Sequence, residues 1–156
     1  LENMRGLIEK VIDQALFEAR SRNVPVYTFA LYYDHESPAI SVCVDTEEQS
    51  KAAVRSKNVY NRKYFGKAVA NGDLSGAALW RANIGRSLSL GDFHMVNVAR
   101  TELAPDFAPS DDFFLAMAQV LVAAETKIAA HSGNIESLLL CCSGMDDAVA
   151  LWWSVA

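Results

Sequence analysis

The sequence predicts an α+β fold, with a small, mostly antiparallel sheet and helices packed on its faces. Three observations predict it. Residues 24–45 read as two β-rich runs around a turn. Residues 3–22 and the stretch after Ser110 repeat apolar side chains at helical spacing. Residues 135–142 then form a short continuous apolar run, as a central strand does. At 156 residues the chain has the length of one domain, and 51% hydrophobic residues are enough to fill one core.

The first helix is expected over 3–22. Met4, Leu7, Ile8, Val11, Ile12, Ala15, Leu16 and Ala19 fall on one stripe, with Asn3 as a candidate cap and Asn23 and Pro25 as the stop. The hairpin follows. Tyr27, Phe29, Leu31 and Tyr33 point to one side of its first strand, and Val26, Thr28, Ala30 and Tyr32 to the other. Neither set is strongly polar, so other elements should cover at least part of both faces. Asp34-His35-Glu36-Ser37-Pro38 has turn composition, which accounts for its three adjacent metal-capable side chains.

Thr46-Glu47-Glu48-Gln49 is a capping box, and it predicts a surface helix over 47–56. Beyond it, Asn58-Val59-Tyr60-Asn61 and Asn71-Gly72-Asp73 look like turns. A short helix between them would turn Tyr64, Phe65, Ala68 and Val69 to the core, and 77–80 would suit a third strand. Gly85, Ser87 and Ser89 indicate a loop. For 90–103 the spacing of Phe93, Val96, Arg100 and Leu103 favours a helix over a strand. Ser110 with Asp111 and Asp112 opens a long helix whose stripe is Phe114, Met117, Leu121, Ala124 and Ile128, with Gly133-Asn134 as its stop. After the run 135–142, residues 143–147 make a turn, with Asp146 and Asp147 in it. Residues 148–155 end the chain as a short helix or a further strand.

Charge and cysteines narrow the function. A net charge of −5 with scattered basic residues argues against nucleic acid as partner. The cluster Lys51, Arg55, Lys57, Arg62, Lys63 and Lys67 reads as a solvated helix face, with an anion or partner patch as the sharper alternative. The longest low-charge stretch, 137–145, is far shorter than the roughly 20 apolar residues of a membrane-spanning helix. The chain begins at Leu1, and no basic-plus-apolar leader is visible in it. Cys43, Cys141 and Cys142 are odd in number and lack metal spacing, which predicts buried free thiols and a cytoplasmic setting. His35, His94 and His131 pair with no ligand at metal spacing, and no glycine loop of phosphate- or dinucleotide-binding type occurs, so no cofactor or metal is expected.

No catalytic constellation stands out. Ser143-Gly144 after an apolar run lacks the Gly-x-Ser-x-Gly pattern of a nucleophile elbow. Trp80, Arg81, Trp152 and Trp153 are the candidate partner-binding residues, because Trp and Arg dominate interface hot spots, although core packing also accounts for tryptophans. Trp152 and Trp153 should differ in burial, since adjacent residues on a strand face opposite ways. The exposed one would suit a homodimer or a docking partner.

Residues 27–34, Tyr-Thr-Phe-Ala-Leu-Tyr-Tyr-Asp, and the later Asp45-Thr46-Glu47-Glu48 are similar to the opening of the bacterial domain-of-unknown-function family numbered 4303. Its members share a helix, a hairpin ending in a Thr-Glu-Glu-like segment, a central tryptophan motif and a late strand. Leu79-Trp80-Arg81 and Phe93 with Val96-Asn97 match that middle region, and Gly85 and Arg86 stand where a second tryptophan is frequent. The resemblance covers most of the chain and implies no known activity. Similar families include bacterial immunity proteins that block secreted toxins, an analogy of fold and not of site. The leading expectation is therefore a non-enzymatic interaction protein, possible partners being a basic toxin or a second copy. The alternative is a small hydrolase or transferase using Asp34 and Asp45 with Cys142 or Ser143. That alternative requires the two carboxylates to share a cleft.

Overall fold

The computed structural model describes residues 2–144 and 150–156. Its elements are α1 (Glu2–Ser21), β1 (Thr28–Asp34), β2 (Ala39–Asp45), α2 (Glu47–Ala70), α3 (Leu74–Ala77), β3 (Met95–Glu102), α4 (Asp111–Ala123), α5 (Glu125–Ala129), β4 (Leu139–Cys142) and β5 (Leu151–Ser154). The strands form one sheet in the order β3-β2-β1-β4-β5, antiparallel except for the β1–β4 pair. This is the α+β arrangement that the sequence predicts.

The hairpin is the centre of the sheet. Its register runs from Thr28 opposite Asp45 to Asp34 opposite Ala39. The Asp34 carboxylate closes the turn by accepting the Glu36 and Ser37 N–H groups at 2.9 and 3.2 Å. Every β2 residue is buried. On one face Phe29, Leu31, Ile40, Val42 and Val44 pack with the α1 and α4 stripes, which bury Ile8, Ile12, Ala15, Met117 and Leu121. On the other face Ala30, Cys43 and Cys141 lie under Phe93, with Leu88 and Leu90 beside them. Residues 81–93, irregular except for a 3-10 turn at Leu90–Asp92, thus form a strap that covers the second face.

Both long apolar-striped helices follow their periodicity, with corrections at the ends. α1 begins at Glu2, ahead of Asn3, so Asn3 lies within its first turn and is not the cap. At its end Asn23 takes φ 54°, and the Val24 N–H reaches the Ala19 carbonyl at 2.8 Å, a left-handed C-terminal cap. The Ser110 hydroxyl caps α4 by accepting the Phe113 N–H at 3.3 Å. The helical path breaks at Ala124, and α5 ends at Ala129, before Gly133. Asn134 instead caps a 3-10 turn over Ile135–Ser137, so the apolar run yields only the four-residue β4.

The middle of the chain differs most from expectation. α2 runs unbroken for 24 residues through Asn58 and Asn61. Those amides turn away from their own backbone and hold a neighbouring segment, so they do not break the helix. Phe65 and Val69 are exposed and do not face the core. Residues 77–80 are not a strand. They complete α3, which Asp73 caps, and a 3-10 turn, Ala78–Trp80. Residues 95–102 are strand, not helix. Between the Val42–Ala99 and Val44–Met95 pairs β3 carries a bulge, with Asn97 at φ 51°. The Asn97 side-chain oxygen accepts hydrogen bonds from the Ser41 hydroxyl at 2.6 Å and from the Tyr32 hydroxyl.

Residues 151–154 form a strand on the sheet edge, the second of the two forms expected. Met145, Asp146, Asp147, Ala148 and Val149, with most of the expected turn and its two aspartates, lie outside the described residues. Among the described residues no helix is long and apolar enough to cross a membrane.

Candidate interaction surface

Charge in this chain is segregated. Between Gln49 and Gly91 eight residues are basic and one, Asp73, is acidic, a net of +7. The rest of the chain holds six basic and eighteen acidic residues, a net of −12. The basic part is α2 with the segment that folds back along it.

That segment is tied to α2 by backbone-to-amide bonds. The Asn61 amide donates to the Arg81 carbonyl at 2.9 Å. Asn58 donates to the Asn83 carbonyl at 3.0 Å and accepts the Asn83 N–H at 2.7 Å, as a paired backbone would. These bonds lay Trp80 across the helix. Its ring lies 4.9 Å from Tyr64 at 30° and meets Tyr60 edge-on at 5.8 Å. Lys67 stands 5.2 Å from the Tyr64 ring centre.

Between α2 and the segment after Trp80 lies a cleft of about 320 Å³, lined by Asn58, Arg62, Phe65, Trp80, Arg81 and Ala82. Trp80 is half-buried, and Arg62, Phe65 and Arg81 are exposed. Among the described residues, neither Arg62 nor Arg81 has a carboxylate partner, whereas Arg22, Arg100, Lys51 and Lys127 each form an ion pair. Gly66 leaves room for Arg62, because a Cβ there would stand 2.7 Å from its Nη1. On α2 and the segment that follows it Val59, Leu74, Leu79 and Ile84 are exposed, Ile84 fully. Exposed apolar side chains gathered outside a core are the kind of surface on which interaction sites are commonly found.

Trp80 and Arg81 are thus brought together in one structure, and Trp152 and Trp153 belong to another. On β5, Trp152 pairs with Cys141 and is 56% exposed, while Trp153 pairs with Leu140 and packs against the main core. The Trp153 indole N–H donates to the Glu125 carboxylate at 2.8 Å. The expected difference in burial is present.

The residues of the enzymatic alternative do not converge. Asp34 and Asp45 sit at opposite ends of the β1–β2 ladder, six residues apart along it, or about 20 Å at strand rise. Asp34 accepts Arg100 Nη1 at 2.9 Å. Burial opposes its charge, but the bonds from Arg100 and the two turn N–H groups outweigh that and hold its carboxyl below the usual range. Asp45 is fully buried and accepts the His94 N–H at 3.0 Å, and its Oδ2 has no hydrogen-bond partner among the described residues. Burial raises its pKa. All three thiols are free and buried, and burial pushes Cys141 and Cys142 up to about 12, the opposite of an activated nucleophile. The buried Ser143 hydroxyl accepts the Tyr33 N–H at 2.9 Å. His35 packs edge-on against Tyr33, and the His131 ring lies 2.8 Å from the Lys127 carbonyl. No cluster of three His, Cys, Asp or Glu suited to a metal occurs among the described residues.

Sequence reasoning missed Asn58, Asn61 and Arg86. Arg86 holds the strap to the sheet: its guanidinium donates to the Tyr27 and Ser137 carbonyls at 2.8 and 2.5 Å and lies 3.8 Å from the centre of the Tyr27 ring. Two asparagines three positions apart within an otherwise helical, proline-free stretch were the available signal for the tie. Comparison of the chain with protein-family models, curated proteins and solved structures finds no match.

Proposed function

We propose that this chain is a bacterial, cytoplasmic, non-enzymatic protein-interaction domain, of the immunity type that neutralises a toxin by binding it. The observation that carries the reading is the α2 arm, where aromatic and apolar side chains gather outside both cores around Trp80 and Arg81. Interfaces draw their energy from such Trp and Arg clusters. The resemblance to family 4303 supports the bacterial part, the immunity-type part rests on analogy with similar families, and three free buried thiols support a reducing compartment. The remainder of the chain, at −12, suits the basic surface of a basic toxin, while the α2 arm, at +7, suits an acidic segment of the same partner. Exposed Trp152 on the edge strand offers a second contact, for the toxin or for another copy.

The test is direct. The products of the genes flanking this one are purified and mixed with the chain, and retention is read by size exclusion together with relief of toxicity. One retained, neutralised neighbour is expected. A complete set of neighbours with none retained sinks the reading.

A further inference from the structure

We infer that the cleft between α2 and residues 80–82 takes a bulky apolar side chain presented by an acidic protein segment. This deepens the interaction reading above and rests on it.

The chemistry of the cleft specifies both halves of that ligand. Its volume of about 320 Å³ is at the small end of ligand pockets, enough for one large side chain and not for a folded element. Phe65 and Trp80 supply apolar walls. Asn58 is committed to Asn83, so it adds no free polar group. What remains polar is cationic: Arg62 and Arg81, without carboxylate partners among the described residues, in a region of net +7. An apolar anchor flanked by Asp or Glu fills the walls and gives both guanidinium groups their partners. The tie of Asn58 and Asn61 to residues 81–83 forms the cleft before the ligand arrives, which lowers the cost of binding.

A single-stranded nucleic acid fits less well. Trp80 already packs against the Tyr64 ring at 4.9 Å and 30°, which takes up one of its faces, and the −12 remainder repels a polyanion. A second copy would have to bring its acidic body to this arm, which is one outcome of the test.

Short random peptides displayed on phage are selected against the whole chain, and the winners are synthesised and titrated by fluorescence anisotropy. The expected winners carry Phe, Trp or Leu among acidic residues. Their binding weakens as salt rises, and it falls by about tenfold or more in Trp80→Ala and in the double variant Arg62→Glu, Arg81→Glu. The double variant changes only exposed side chains, so it keeps the test valid if Trp80→Ala fails to fold. Basic or uncharged winners, or winners that bind the double variant equally well, overturn the inference. So does a concentration-dependent dimer lost in the double variant, which assigns the cleft to a second copy, and so does tight, competing binding of oligothymidylate. If winners occupy the cleft without acidic residues, or a flanking-gene partner is retained undiminished by the double variant, the inference falls and the interaction reading stands. If neither peptides nor neighbours bind, both fall.

Discussion

The Trp153 indole on the edge strand β5 is bonded to the Glu125 carboxylate at the start of α5, at 2.8 Å. One hydrogen bond thus joins the last strand to the helical layer, beside the pairing of β5 with β4. Trp153→Phe keeps most of the ring and removes the bond. Its expected cost is about 0.5–1.5 kcal/mol in urea denaturation. Trp152→Ser, at the exposed neighbour, should stay within about 0.5 kcal/mol. Light scattering of the same proteins separates packing from assembly: a dimer lost in Trp152→Ser alone would assign that side chain to a self-interface.

The thiols give a second check. With Cys141 and Cys142 pushed up to about 12 and Cys43 raised by burial, none should react with a disulfide reagent near pH 8 in the folded protein. All three should react once guanidinium unfolds it. Rapid modification of Cys142 in the native state would mean that its thiol is reachable and less deeply buried than the fold places it.

Those two aspartates should respond to pH with opposite sign. Asp34 is held below its ordinary value of 3.8 in the folded state, so its stabilisation is present above that value and is lost as pH falls through the lowered pKa. Asp45 is raised above 3.8 by burial, so its folded form favours the proton. Its contribution is favourable at low pH and is lost as pH rises through the raised pKa. Asp34→Asn should therefore lower the melting temperature at neutral pH. Asp45→Asn should raise it or leave it unchanged there, with the difference vanishing toward pH 4. An Asp45→Asn protein clearly less stable at neutral pH would mean that the charged form has a partner on Oδ2.

How much of this was legible depended on whether local pattern and tertiary contact agreed. α1 and α4 each bury one stripe, so periodicity found them, and Leu121 is fully buried as its spacing predicts. The hairpin was legible because its turn chemistry lies within five residues. β3 was hidden by its own bulge. The extra residues around Asn97 break the alternation of a strand and place Phe93, Val96 and Arg100 at a spacing that imitates a helix. α2 was cut short because Asn58 and Asn61 read as turn formers, when their amides in fact bond residues more than a dozen positions away. The same bonds explain why Trp80 and Arg81 could be flagged by residue type while the cleft could not. Its other wall comes from α2, and no local pattern records that tie.

Gly66 offers the last prediction, because it sets helix stability against the poise of Arg62. A glycine inside a long helix costs about 1 kcal/mol relative to alanine, and Gly66 has no positive φ that would require it. The Cβ of Gly66→Ala would meet only the Arg62 guanidinium, the far end of a flexible side chain that can move aside. The variant should thus be more stable by up to about 1 kcal/mol in chemical denaturation. The displaced Arg62 should in turn bind the acidic peptides of the cleft more weakly. Adding Arg62→Ala to both backgrounds isolates the effect, since without the guanidinium the alanine should no longer change affinity. A Gly66→Ala protein that is less stable would point to a backbone constraint at this position. One that binds as tightly as the parent would mean that Arg62 does not need its present place against α2.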